Sequence, residues 1–254
     1  MTNVIQQSLY RFLLGIVLLL APLAYSETME KNYSMGSLEQ IPYGFKEPNG
    51  KVRGILFDIM NEIIKQSGLS ATNLLLPPKR LINELTRGVV SCSLLADTHY
   101  AQMLFDIIEP IGLKLPAGIL PKKGVQLPNY EGLKNITIAI PLGIYFDDIF
   151  DKDEALTKVH PPQYLNSIRM LKYGRVDAVA GAIPSLLYIA KNEGMTNRDF
   201  GTPLILSNHE VNLTCRRSVN NNVREAMQTA TKKLKKSGTI QGIIMQHPTF
   251  ISPP

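Results

Sequence analysis

Little in this chain of 254 residues carries the marks of covalent or metal chemistry. Its two cysteines, Cys92 and Cys215, are too few for a disulfide framework. No Cys-x-x-Cys pair and no cluster of cysteine with histidine supports a zinc site. The four histidines, His99, His160, His209 and His247, fall in unrelated segments, so no metal and no cofactor are expected. Serine, histidine and acidic residues occur without a G-x-S-x-G or comparable nucleophile motif. There is no low-complexity segment and no long run of like charge.

What remains is 44% hydrophobic, enough for one large domain or for two of about 100–120 residues each. The formal charge of +6 raises the question of nucleic acid. The basic residues are scattered, however, apart from Lys232–Lys236 at the end of an amphipathic helix, where cations suit the helix dipole and face water. The first residues argue the same way. Arg11 precedes an uncharged apolar run, Phe12 to Leu23, which is short for a membrane span and right for a signal-peptide core. Ala24-Tyr25-Ser26 places small residues at −3 and −1, so residues 1–26 read as a cleaved signal peptide. An uncleaved anchor is the alternative. Cleavage removes Arg11 and no acid, leaving a net charge of +5 on a periplasmic chain.

The clearest structural signal runs from Tyr164 to Lys191. Leu165, Ile168, Met170 and Leu171 give a helical apolar face, and Gly174 ends the helix. Val176, Ala178 and Val179 make a buried-strand run around Asp177, and Pro184 stands where a new helix starts. Helix, turn, strand, helix is the repeating unit of a parallel α/β sheet. Lys79–Leu95 repeats it, with Gly88 as the stop and Val89–Leu95 as the strand. Two copies suggest two similar α/β lobes. Elsewhere, Glu27–Gly36 reads as a polar lead and Pro48-Asn49-Gly50 as a turn. Ile55–Gly68 reads as an amphipathic helix, Leu74–Leu76 and Ile136–Ile140 as strands, and Ile144–Phe150 as a helix start with Asp147 and Asp148 in its first turn. Asn208–Arg217 reads as a strand, and Val223–Ser237 and Ile240–Met245 as the last helices before a loose tail.

The order of these features resembles the periplasmic solute-binding proteins of the polar amino acid type, solute-binding protein family 3. Pro42-Tyr43-Gly44-Phe45 followed by Asn49-Gly50, Gly54 and Asp58 is similar to that family's opening segment. Asp106–Pro110 is similar to its FSxPY stretch, Ile136–Gly143 to its second-lobe strand and glycine turn, Gly174–Val179 to its GxxDAVV strand, and Lys235–Ile240 to its LxxxGT signature. The resemblance implies a type II periplasmic-binding-protein-like fold: two α/β lobes with two crossover strands at the hinge, here Ile111–Pro121 and Glu210–Arg217. Residues 27–112 and 217–254 would form lobe 1 and residues 113–216 lobe 2. Cys92 and Cys215 would then lie in different lobes, which argues against a disulfide between them.

The resemblance also implies a monomeric, non-enzymatic binding protein that captures a small ligand between its lobes and serves an ABC-type permease. The family's anchors for an α-amino acid are an arginine, two threonines and an aspartate. They fall at Ala101, Ala96, Ile144 and Ala182, so all four are missing. A desolvated zwitterion needs paired charge, which makes a free α-amino acid an unsuitable ligand. The candidate ligand-binding residues are Tyr43, Phe45, Arg80, Asp97, Thr98 and Tyr145. For each there is a plainer reading: Tyr43 and Phe45 as packing aromatics, Arg80 as the partner of a surface acid. Asp177 reads as structural. Three other roles remain open: a sensor input module, a protein-interaction module of the same fold, and a periplasmic dehydratase-like enzyme, which needs an acid–base pair in the cleft.

Overall fold

A computed structural model describes residues 32–247 apart from 143, 145 and 146. The expected signal segment, Tyr145 and the tail beyond His247 lie outside the described residues.

The amphipathic patterns resolve into helices where glycines permit the chain to turn away. Helix α1 (Ile55–Ser67) buries Ile55, Leu56, Ile59, Met60 and Ile63 on one face and ends at Gly68, whose φ of 70° is the left-handed cap that glycine takes without penalty. Helix α2 (Pro78–Arg87) opens on a proline, buries Leu81 and Leu85, and ends the same way at Gly88. Around them run β1 (Tyr33–Leu38), the hairpin β2 (Phe45–Lys46) and β3 (Val52–Arg53), β4 (Ala71–Leu76), β5 (Cys92–Ala96) and the short helix α3 (His99–Leu104). A 17-residue strand, β6 (Phe105–Pro121), leads to β7 (Thr137–Ala139), α4 (Asp148–Lys152), β8 (Thr157–Val159), α5 (Tyr164–Lys172), β9 (Ala178–Ala182) and α6 (Ile183–Asn192). The long strand β10 (Leu204–Arg216) returns, and α7 (Asn221–Lys236) and α8 (Thr239–Met245) follow.

Eight strands form one sheet in the order β4-β1-β5-β10-β6-β9-β7-β8. The order is nearly symmetrical. On one side β4, β1 and β5 run parallel, and on the other β9, β7 and β8 do. Between them lies the antiparallel pair of long strands, β10 against β6. Upper β10, Val211–Cys215, pairs with β5, whereas Ala117–Pro121 of β6 pairs with β9. The two long strands, paired with each other, therefore join the halves, β10 lying against the first and β6 against the second. Their register shifts around Glu210–Asn212, opposite Gly112, whose φ is 79°.

Each half has its own cores. In the first, Met35, Tyr43, Ile59, Met60, Leu213 and Met227 pack on one face, and Leu76, Leu81, Leu85 and Phe105 on the other. In the second, Val179 joins Ile168 and Leu186, while Ala178 and Ala180 turn to Ile138 and Phe150, following the period of a strand. Among the described residues no helix is long and apolar enough to cross a membrane.

Four expectations need correcting. Residues 27–36 are not all a polar lead, because Tyr33–Leu38 is the central strand of the first parallel set. Its Gly36 leaves room for the Leu81 side chain, which a Cβ there would overlap. The strand expected at Val89 starts at Cys92, because the Val89 and Val90 amides bond back to the Glu84 carbonyl at the end of α2. Asp147 does not sit in the first turn of a helix. It is the N-cap of α4, and its carboxylate accepts from Ile149 N and Phe150 N. Finally, Cys92 and Cys215 are not apart. They are directly paired across β5 and β10 and joined by a disulfide, because β10 runs on past its register shift into the first half.

Candidate functional site

The loop after β5 gathers polar groups where the two long strands cross from one half to the other. Thr98 caps α3, accepting from Ala101 N at 3.2 Å. The Asp97 carboxylate Oδ1 accepts from Glu210 N at 3.0 Å and lies 3.2 Å from His209 Nδ1. The Asp97 amide in turn donates to the Glu210 carbonyl. Of the expected site residues, Asp97 is thus bonded to β10, with Thr98 next to it in the chain. His209 joins them, although 112 positions separate it from Asp97 and no local pattern marks it.

A second group forms around Ser185. The opening segment carries Gln40, whose Nε2 donates to Ser185 Oγ at 3.1 Å. Tyr43 is 2% exposed within the first core, and its hydroxyl lies beside Ser185 with Tyr164 close by. Burial raises the Tyr43 hydroxyl well above the ordinary phenol range. Tyr164 opens α5. Its hydroxyl accepts from Ala182 N at 3.3 Å, and burial pushes it up to about 12. Ala182 is where the resemblance expects an ammonium-binding aspartate, and here its amide is held by a tyrosine of the same chain. Ser185, Tyr164 and Gln40 were not legible as site residues, because each reads as ordinary helix or loop.

The remaining expected residues are not drawn into either group. Phe45 is half-buried in β2, opposite Arg53 of β3. Arg80 is 66% exposed, 3.7 Å from Glu84 on its own helix, and lines an open groove with Lys79, Asn83 and Arg87. Tyr145 is outside the described residues. Ala101 is buried, and Ile144 packs half-buried against both cores of the second half.

Asp177 stands at the strand corner. Its Oδ1 lies 2.7 Å from Lys122 Nζ and its Oδ2 accepts from Thr137 N at 2.9 Å. The Lys122 bond, then the Thr137 amide, hold its carboxyl below the usual range. Among the described residues no three histidines, cysteines or acids converge on a metal position.

A family model for bacterial extracellular solute-binding proteins, family 3, matches residues 34–248. No curated protein matches the chain. Among solved structures, a histidine kinase sensor domain with similarity to periplasmic binding proteins is similar at a TM-score of 0.73 and 16% identity, over 88% of this chain and 97% of that one. The GluR0 ligand-binding core from Nostoc punctiforme, in complex with L-glutamate, is similar at 0.71 and 19%, over 87% and 100%. A mutant of ArgBP from T. maritima is similar at 0.70 and 22%, over 85% and 94%. At these identities the likeness concerns the fold.

Proposed function

This chain belongs to the bacterial extracellular solute-binding proteins, family 3, and on that premise we propose that it captures a small organic ligand between its two lobes in the periplasm and delivers it to an ABC-type permease. Residues 27–112 and 217–254 act as one lobe and residues 113–216 as the other, with residues 211–216 at the end of β10 completing the first lobe's sheet, and with a cleavable leader at 1–26. The chain works as a monomer.

The observation that carries the proposal is the pair of shared strands. β10 pairs with β5 of the first half, β6 pairs with β9 of the second, and the two pair with each other with a register shift near Gly112, which suits lobes that hinge over a ligand. We further propose that the ligand is not a standard α-amino acid. The carboxylate and ammonium anchors are replaced by Ala96, Ala101, Ile144 and Ala182. Asp97 and Thr98 supply the ligand's polar contacts beside the crossover strands. Native mass spectrometry of freshly purified protein tests this. A copurifying molecule with an apolar or aromatic body supports it, and a copurifying free amino acid refutes it.

One observation favours a second reading. Asp97 and His209 lie 3.2 Å apart beside the crossover strands, the acid–base pairing that a dehydratase-like enzyme needs. The captured molecule separates the two readings: a binding protein returns it unchanged on incubation, and an enzyme does not.

A further inference from the structure

The side chains of the two halves meet at Ser185. It sits in the first turn of α6, between Ile183 and Leu186 of the second half's core, and is fully buried. Its partners come from the opposite end of the sheet order. Gln40 follows β1, and Tyr43 is packed with Met35, Ile55 and Ile59 in the first half's core. Gln40 Nε2 reaches Ser185 Oγ across 145 positions of sequence, and the Tyr43 hydroxyl lies beside the same serine.

We infer that Gln40 and Tyr43, bearing on Ser185, form a latch that holds the two lobes together through the protein's own side chains. The inference rests on the reading that the lobes hinge, and adds what sets their resting balance. Ser185 is a polar group taken out of water, and its side-chain partner, Gln40, comes from the other half of the molecule. Parting the lobes exchanges these contacts for water, and closing them restores the contacts with no ligand involved. A hydrogen bond of net worth near 1 kcal/mol biases the open-to-closed ratio roughly two- to tenfold. Since a ligand enters only through the open form, the latch sets the fraction of molecules able to receive one.

Spin labels on the exposed positions Lys51 and Lys191, placed by Lys51→Cys and Lys191→Cys, would report the separation of the lobes. The native cysteines are both in the disulfide, so they do not take label. The protein is refolded from denaturant with that disulfide intact, which removes any copurified molecule. The expected result is one dominant distance in the otherwise native chain. Gln40→Ala and Ser185→Ala should each raise the population of a longer distance two- to tenfold. An unchanged distribution in Gln40→Ala, whose side chain is only half-buried, overturns the latch even if Ser185→Ala fails to fold. A native chain that shows only the longer distance overturns it too. No ligand enters the measurement, so a failed ligand search leaves the outcome unaffected.

Discussion

Tyr164 fills the space that a side chain at Gly181 would need. A Cβ on Gly181 would overlap the ring and hydroxyl of Tyr164, and the glycine holds a φ of 150°. The hydroxyl then accepts from the next amide, that of Ala182, at 3.3 Å. Strand β9 and helix α5 are thereby locked at the point where α6 begins and where Ser185 is presented to the other half.

Gly181→Ala should therefore destabilise the chain by about 2–4 kcal/mol, from overpacking and backbone strain together. Gly174→Ala is the control. Its φ is 68° and nothing lies within 4 Å of a Cβ there, so only the left-handed backbone cost of about 1–2 kcal/mol applies. Urea unfolding of the two variants checks the difference, and equal midpoints would show that Tyr164 yields easily.

The Cys92–Cys215 disulfide spans 123 positions and is fully buried in the first core. Replacing both cysteines by alanine should lower stability by about 2–5 kcal/mol, in the range found for native disulfides. Equilibrium unfolding of the double variant measures this. Thiol titration of the unfolded, unreduced chain should find no free thiol.

Asp177 makes stability depend on acid. Its carboxyl is held below its ordinary range, first by Lys122 and then by the Thr137 amide. The unfolded chain therefore takes up this proton more readily than the folded one. The contribution is fully present above the ordinary carboxylate range and is lost as pH falls through the lowered value. Both side chains are about a third exposed, at 37% and 32%, so solvent screening limits the pair to about 1 kcal/mol. The stability difference between the native chain and Lys122→Met should be near that value at pH 7 and should shrink at pH 3. A difference that grew on acidification would contradict the assignment.

Asp97→Ala should leave the Glu210 amide without its side-chain acceptor and His209 without this carboxylate, at a cost of about 1–3 kcal/mol. Asp97→Asn, which keeps an acceptor oxygen, should recover most of it. Thermal unfolding of both variants decides whether the carboxylate props the crossover strand.

Calorimetry with the twenty standard amino acids should give no micromolar isotherm. Charge-assisted bonds contribute roughly 1.5–3 kcal/mol each. On the proposal that Ala96, Ala101, Ile144 and Ala182 stand in the anchor positions, several such bonds are missing, and each 1.4 kcal/mol is tenfold in affinity. One clear micromolar isotherm would mean that the anchors stand at other positions of the chain, or that Arg80 and Asp97 have taken over their roles.

The sequence by itself determined the helices and the α/β class. Local apolar spacing and glycine stops sufficed, because Gly68, Gly88 and Gly174 each take the left-handed conformation that ends a helix. The two crossover strands were legible in outline as long apolar stretches, though both run longer than their composition suggested, since pairing with neighbours extends a strand past its hydrophobic run. What only the tertiary structure decided concerns partners far apart in sequence. β1 escaped notice because Tyr-Ser-Met-Gly-Ser-Leu has little β-branched character, and its place is made by Leu81 packing over Gly36. The disulfide depended on the register of β10 against β5, which no local pattern encodes. Gln40 with Ser185, and Asp97 with His209, depend on how the two halves are set on their shared strands. Local conformation follows from steric preferences within a few residues, whereas a pairing across more than a hundred follows from the whole packing.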